Sequence, residues 1–340
     1  MRKIIISLLL FPGFLALGAI ADELKLAPDA PDRYVVQKGD TLWDISGRYL
    51  RDPWRWPQLW GMNKDQVKNP HLIYPGDVLV LDRSGGTPRL ARGMETVKLS
   101  PRVRETSTGR NAIPTIAAAD LRAFLARPLI IDANGLDGSP RIAATQEGRV
   151  IASAGDLVGV TGLPRDQGLV WDIYEPGKAL KDPETEEILG YEAVHLGAGR
   201  VYRFEDPISI IEITAAKEEI LTGSRLVKAS DPGVINFVPR APEKDISGRI
   251  ISNYRAGTEV GPNAIVVLNR GRRDGVAPGH VFQVMPNEGR ANFERGAKNI
   301  EVPPIRIGLV MAFRVFDRVT YALVMDAKRP IGLGDVVRNP

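Results

Sequence analysis

The chain is 340 residues long, with a formal net charge of +4, 25% charged residues and 44% hydrophobic residues, which allows two or three domains with cores of their own. It contains no cysteine, so disulfides, thiolate catalysis and attachment through a lipidated N-terminal cysteine are excluded. Arg2 and Lys3 alone supply two of the excess positive charges, so the basic balance points only weakly to a polyanionic partner.

The chain opens on an export signature. Residues 4–20 are almost wholly apolar apart from Ser7, and Ala19-Ile20-Ala21 has the small-x-small pattern that signal peptidase cuts. Pro12, Gly13 and Gly18 interrupt the run, and no basic cluster follows it, which argues against a membrane anchor. The expectation is a signal peptide over residues 1–21, leaving 340 − 21 = 319 residues after cleavage.

Residues 34–81 form the next unit. Tyr34 to Gln37 reads as a short strand, and Lys38-Gly39-Asp40 as a turn whose glycine can take positive φ. Asp40 or Thr41 can cap a following helix: Thr41 and Asp44 have capping-box spacing, and Leu42, Ile45 and Tyr49 share one face. Asp52-Pro53 breaks that helix, and Pro57 suits the first turn of a second one, with Leu59, Trp60 and Met62 available for packing. Asn69 to Gly76 reads as a loop and Asp77 to Leu81 as a returning strand, giving two antiparallel strands with two helices on one face. Trp43, Trp54, Trp56 and Trp60 are four of the five tryptophans in the chain. Trp43, inside the first helix, reads as packing; Trp54 and Trp56 flank the break and suit either a core or a sugar-facing position.

The stretch from Tyr34 to Ile45, with Gly39-Asp40-Thr41-Leu42 at its centre, and the stretch Asn69-Pro70-His71-Leu72-Ile73-Tyr74-Pro75-Gly76-Asp77 resemble a LysM module. The resemblance implies a βααβ fold that binds the N-acetylglucosamine-containing glycans of peptidoglycan in a groove between two loops. It assigns Gly39, Asp40, Thr41 and Leu42 to the first loop and Pro70, Leu72, Ile73 and Tyr74 to the second. Such a site suits a neutral N-acetyl sugar, which needs backbone donors and acceptors and an apolar floor for the methyl group. The Trp-rich insertion Arg51-Asp52-Pro53-Trp54-Arg55-Trp56 departs from the common LysM pattern.

Residues 82–112 read as a basic linker, in which seven Lys and Arg from Arg83 to Arg110 face only Asp82, Glu95 and Glu105. The charges keep such a segment extended and could meet anionic wall polymer or lipid headgroups. Export argues against nucleic acid as the partner. Ile113 to Arg127 can form a helix with Leu121, Phe124 and Leu125 on one stripe; after Pro128, short β-branched runs punctuated by glycine predict a mainly β region.

That region repeats itself. A shift of 111 residues aligns Val170 with Val281, Trp171 with Phe282, Tyr202 with Phe313, Arg203 with Arg314, Asp206 with Asp317 and Ile220 with Ile331. Each copy contains a polar excursion, Glu175 to His195 and Pro286 to Arg306. The expectation is an α+β multidomain chain: a LysM module at 34–81, a basic linker at 82–112, and β-rich modules at 113–228 and 229–340, each SH3-like or a partly open barrel. The Arg203/Asp206 and Arg314/Asp317 pairs suit turn-stabilising ion pairs, or a ligand site used twice.

No catalytic constellation emerges from the sequence. His71, His195 and His280 are isolated, and there is no His-Glu-x-x-His, Gly-x-Ser-x-Gly or Ser-x-x-Lys. Glu184, Glu186 and Glu187 fall in an expected solvated hairpin loop after Asp182-Pro183. The expectation is a non-enzyme without cofactor or metal; a LysM-targeted peptidoglycan hydrolase is the alternative in the enzyme class.

Signal peptide, LysM-like module, basic linker and β-rich region together resemble the type IV pilus secretin-associated proteins, whose C-terminal part is likened to a flagellar T-ring protein. Thr96 to Arg104, Ile113-Pro114-Thr115-Ile116 and Phe124 to Leu129 add to the resemblance. It implies a periplasmic protein near the outer membrane that grips peptidoglycan through the module and an outer-membrane secretin ring through the C-terminal part, touching the membrane only through that partner. A linker would then let the two ends act at separate places. A scaffold for another envelope machine, such as a flagellar ring, is the runner-up.

Overall fold

The computed structural model describes residues 24–60, 73–84, 88–92, 127–131, 135–146, 149–229, 238–287 and 305–340. The expected signal peptide, the helix from Ile113 and most of the linker lie outside the described residues. Among the described residues no helix is long and apolar enough to cross a membrane.

The N-terminal unit is a small sheet under two helices. Strand β1 (Arg33–Val35) runs antiparallel to β2 (Val78–Asp82), and helices α1 (Leu42–Tyr49) and α2 (Trp56–Leu59) are separated by a 3-10 turn at Pro53–Arg55. Leu42, Ile45, Tyr49, Trp56, Leu59 and Leu79 are fully buried and form one core. The unit has a third strand, β3 (Arg89–Arg92), which pairs with β2 in the register Leu81↔Leu90. The chain expected to be a linker from Asp82 therefore continues the sheet. Leu90 turns inward and is buried while Arg89 stays exposed, the alternation a half-buried strand requires.

The C-terminal region is two barrels. In the first, β5 (Arg141–Ala144), β6 (Leu157–Thr161), β7 (Val170–Lys181), β8 (Ile188–Arg203), β9 (Ile208–Ala216) and β10 (Arg225–Lys228) run in the order β8-β7-β10-β5-β6-β9, and a β8–β9 pairing closes the ring. The short β4 (Leu129–Ile131) pairs with the far end of β8. In the second, β11 (Ser247–Asn253), β13 (Ile265–Leu268), β14 (Val281–Met285), β15 (Gly308–Val315), β16 (Thr320–Ala327) and β18 (Val336–Arg338) close in the order β11-β13-β16-β15-β14-β18. The small ladder β12 (Glu259–Val260) with β17 (Ile331–Gly332) stands beside it.

The two rings match pair for pair. β7, β8, β9 and β10 correspond to β14, β15, β16 and β18 at the 111-residue shift, and β5 and β6 to β11 and β13 at a shift of 108. Their interiors coincide as well: Ile142, Trp171, Ile173, Ile211 and Leu226 fill one barrel, and Ile250, Phe282, Val284, Ala322 and Val337 take the same places in the other. Both rings are closed rather than partly open, because β9 pairs back onto β8 in the first and all six strands of the second have a neighbour on either side.

The β7–β8 hairpin is much longer than its counterpart needs to be for closure, and its tip lands on the second barrel. Asn269 Nδ2 donates to Asp182 Oδ2 at 2.8 Å, Arg249 Nε to Glu184 Oε1 at 2.6 Å, and Arg318 Nη1 to the Ile188 carbonyl at 3.1 Å. Arg318 also pairs with Glu187, and Leu180 and Leu189 pack against Val281, Tyr321 and Leu323 in a single core cluster. Glu184, Glu186 and Glu187 are exposed, as expected of this loop, and the same loop joins the barrels. Its acidic residues find arginines on the opposing surface that the sequence does not place beside them.

The N-terminal unit sits on the same surface. Trp43 is buried in the cluster just described, Trp54 packs against it, and Arg306 Nη1 bonds Asp52 Oδ1 at 2.6 Å. The Trp-rich insertion, through Trp54 and Asp52, thus places the module against the second barrel. The repeated Arg/Asp pairs are corrected: Arg203 Nε pairs with Glu205 at 2.7 Å, and Arg314 lies 5.5 Å over the Phe316 ring.

Two expected outcomes follow from the seam between the barrels. Asp182→Ala leaves the buried Asn269 amide without its acceptor and lowers stability by about 1–3 kcal/mol in chemical denaturation. Glu192 is buried, accepts a 3.0 Å hydrogen bond from Tyr321 Oη, and has its pKa raised by burial, with that hydrogen bond and Lys178 opposing the rise. A raised folded-state pKa contributes stability below the unfolded value that is lost as pH rises through the folded value. Glu192→Gln should therefore flatten the fall in melting temperature above the ordinary glutamate range; an unchanged profile would contradict this.

Candidate functional site

The site is built from two loops that the backbone stitches together. Asp40 N–H bonds the Gln37 carbonyl at 3.2 Å, Asp40 Oδ2 accepts from Gln37 N–H at 2.7 Å, and Tyr34 Oη donates to the same oxygen at 2.8 Å. Gly39 sits at φ +101°, and a Cβ there would meet nothing within 4 Å. Glycine is thus required by conformation and not by crowding. Thr41 is the N-cap of α1: its Oγ1 accepts from Asp44 N–H at 3.0 Å and donates to Asp44 Oδ2 at 2.7 Å.

The second loop mirrors this economy. Tyr74 N–H donates to Asp77 Oδ2 at 2.9 Å, Asp77 N–H bonds the Tyr74 carbonyl at 2.9 Å, and Gly76 takes φ +96°. Val36 then ties the loops to each other, donating to the Asp77 carbonyl at 2.9 Å and accepting from Gly76 N–H at 2.8 Å. The two loops are therefore adjacent and fixed at their base.

The eight residues assigned from sequence divide by position. Gly39 is exposed, and Asp40 and Tyr74 are half-buried at the rim. Leu42 and Ile73 lie buried in the module core beneath the loops, and Thr41 is buried as the cap. Pro70 and Leu72 lie outside the described residues. Sequence reasoning passed over Asp77, Gly76 and Tyr34; the signal for the first two was the Pro-Gly-Asp turn, and for Tyr34 its position six residues before Asp40.

The tryptophans do not line the rim. Trp56 is fully buried in the module core and Trp60 packs against it, while Trp43 and Trp54 belong to the contact with the second barrel. Around the site, burial raises the Tyr34 hydroxyl pKa with help from the Asp40 hydrogen bond, and burial pushes Tyr49 up to about 12. Both phenols are neutral at ordinary pH, and the Tyr34 hydroxyl donates to Asp40. Among the described residues, no group of three acidic or histidine side chains could hold a metal ion. The arrangement offers backbone and hydroxyl groups above the apolar module core, which suits an uncharged polyol or amide ligand.

Residues 34–82 match the LysM domain family model. The chain is also 39% identical over 59 residues to the uncharacterized protein YqbP of Bacillus subtilis strain 168, an alignment covering 15% of this chain and 27% of that protein. The chain thus spans about a quarter of the length of the curated relative it matches. A LysM domain followed by a mostly β region with barrel-like sheets is the organisation of this protein.

The local geometry predicts two separable stability effects. Thr41→Ala removes the cap and costs about 1 kcal/mol. Gly39→Ala forces a side chain onto a positive-φ position and costs about 1–3 kcal/mol without any clash. Thermal and urea melts of the two variants check both values.

Proposed function

We propose that this protein binds peptidoglycan through the groove between the Gly39–Leu42 and Ile73–Tyr74 loops, and that it holds an outer-membrane secretin of the type IV pilus to the cell wall without catalysis of its own. The observation that carries the glycan part is the LysM match over residues 34–82 on a pair of loops fixed to each other through Val36. LysM domains bind the N-acetylglucosamine of peptidoglycan, and the exposed backbone at Gly39 with the half-buried Tyr74 ring gives an acetamido sugar both a polar edge and an apolar face.

The anchoring part rests on the resemblance of the whole chain and on its architecture. The two barrels would serve as the scaffold, and the LysM module is docked to the second of them by Trp43, Trp54 and the Arg306–Asp52 ion pair. Such a protein would work in the periplasm after removal of residues 1–21, with several copies on one partner multiplying a weak grip on the wall. A flagellar ring or another envelope machine would use the same arrangement.

Co-sedimentation with purified peptidoglycan tests the glycan site. The full chain should pellet with the insoluble polymer, and Tyr74→Ala should weaken binding about tenfold, a loss of about 1.4 kcal/mol. Asp40→Ala, which releases both Gln37 N–H and Tyr34 Oη, should act in the same direction. Failure of the unaltered chain to pellet, or full retention by both variants, sinks the glycan reading. In-cell cross-linking with identification of the partner tests the secretin, and zymograms that clear only with active chain would replace the scaffold by a hydrolase.

A further inference from the structure

The two barrels are built alike at one corner and finished differently there. In the first, Ala152 pairs with Ile220, and Lys217 N–H bonds the Leu196 carbonyl at 2.7 Å. In the second, Val260 pairs with Ile331, and Lys328 N–H bonds the Ile307 carbonyl at 2.7 Å. The same backbone thus presents Lys217-Glu218-Glu219 in one copy and Lys328-Arg329-Pro330 in the other. In the first copy the corner meets the neighbouring barrel, whose Arg255 forms an ion pair with Glu218. In the second it is an open cleft of about 430 Å³.

Cations and apolar walls share this cleft. Lys328 and Arg329 are exposed in its lining, and among the described residues neither forms an ion pair or a side-chain hydrogen bond. The fold does not require Arg329, since Glu218 holds the same place on the same backbone in the first barrel. Val260, Pro262, Ala327 and Pro330 form the walls, and a Cβ on Gly261 would meet nothing within 4 Å. The volume lies in the range that holds a small ligand. Two cations between short apolar walls match a ligand with carboxylates and small aliphatic side chains, held by charge-assisted hydrogen bonds. Glu259 lines the same cleft, which disfavours a polymer carrying only negative charge and admits a ligand with an amino group beside its carboxylates.

We propose that this cleft holds the stem peptide of peptidoglycan, a short peptide of alanine, D-glutamate and a diamino acid, with its free carboxylates on Lys328 and Arg329 and its alanine methyl groups against Pro262 and Pro330. This rests on the reading of the chain as a peptidoglycan binder and adds a second contact to it: the module takes the glycan and the barrel takes the peptide. Ile307, which accepts the Lys328 N–H, follows Arg306, whose guanidinium holds Asp52 of the module. Cleft and module are therefore attached to the second barrel at adjoining residues. Two weak contacts with one polymer retain the chain better than either does alone.

Calorimetric titration of the full chain with the soluble tetrapeptide L-Ala-γ-D-Glu-meso-diaminopimelate-D-Ala tests the cleft directly. The peptide should bind, and Arg329→Glu should lower its affinity about tenfold or more, as loss of a charge-assisted contact does, at an unchanged melting temperature. Arg165→Glu, at an exposed basic residue of the first barrel, and Tyr74→Ala should bind the tetrapeptide like the parent. Co-sedimentation with wall glycan stripped of its peptides by an amidase separates the two contacts. Arg329→Glu should pellet like the parent with stripped glycan and less than the parent with intact peptidoglycan. A parent chain that ignores the tetrapeptide but pellets with stripped glycan overturns the cleft and leaves the groove standing; one that binds the tetrapeptide but not stripped glycan does the reverse. Undiminished binding by Arg329→Glu, an equal loss in Arg165→Glu, or tighter binding of tetraglutamate, which stands for an acidic protein segment, each overturns the proposal.

Discussion

Val281, Met311, Tyr321 and Leu323 point outward from the second barrel and are all fully buried, so the remainder of the chain is organised around covering them. A patch of that size left in water would be a liability. Two separate pieces of the chain meet the need. The tip of the β7–β8 hairpin supplies Leu180 and Leu189, and the N-terminal module supplies Trp43 with Trp54 beside it. Polar contacts then fix the placement: Asp182 with Asn269 inside the seam, and Glu184 with Arg249 and Asp52 with Arg306 toward its edge. The buried amide–carboxylate contact specifies geometry more than the exposed pairs, because leaving either of its members alone is costly.

Much of this was legible in the sequence where the signal was local. The turn at Gly39, the cap at Thr41 and the stripe Leu42, Ile45, Tyr49 are short-range patterns, and each appears as a turn, a cap and a buried face. The repeat was legible for a different reason: interior positions such as Trp171/Phe282 and Ile220/Ile331 are held by the same packing demand in both copies, so a plain shift finds them. Contacts between units left no such trace. Glu184 and Glu187 look like any acidic loop until Arg249 and Arg318 are brought to them by a fold that spans more than 60 residues. The role of Trp54 was equally hidden, since a tryptophan on a sugar and a tryptophan on a neighbouring barrel have the same composition and local context. Strand β3 was missed because its four residues carry only one apolar side chain that packs inward, Leu90.

The placement of the tryptophans bears directly on how a LysM groove works in this chain. With Trp56 and Trp60 in the module core and Trp43 and Trp54 on the barrel, recognition by the described loop residues falls to Tyr74, Asp40 and the backbone around Gly39 and not to tryptophan. Affinity from a single small groove should be modest, because small interfaces lose most of their gain to lost rotational and translational freedom. Rigidity offsets part of this cost. The Val36 bridge, the Asp40 and Asp77 carboxylate turns and the Thr41 cap fix the loops before a glycan arrives.

The same contacts determine where load would travel if the module is an anchor. Trp43 follows Leu42 directly in α1, so the ligand loop and the docking residue are parts of one rigid element. A pull applied through the second barrel would reach the module through the Trp43 and Trp54 packing and the Arg306–Asp52 pair, and it would pass along α1 to the groove. A module packed on the barrel through Trp43 and Trp54 resists rotation about its ligand, whereas one on a single flexible tether does not. Fixing the groove's orientation relative to the barrels lowers the entropy lost when several copies engage one polymer together, which is the circumstance in which a single weak LysM groove per chain becomes sufficient.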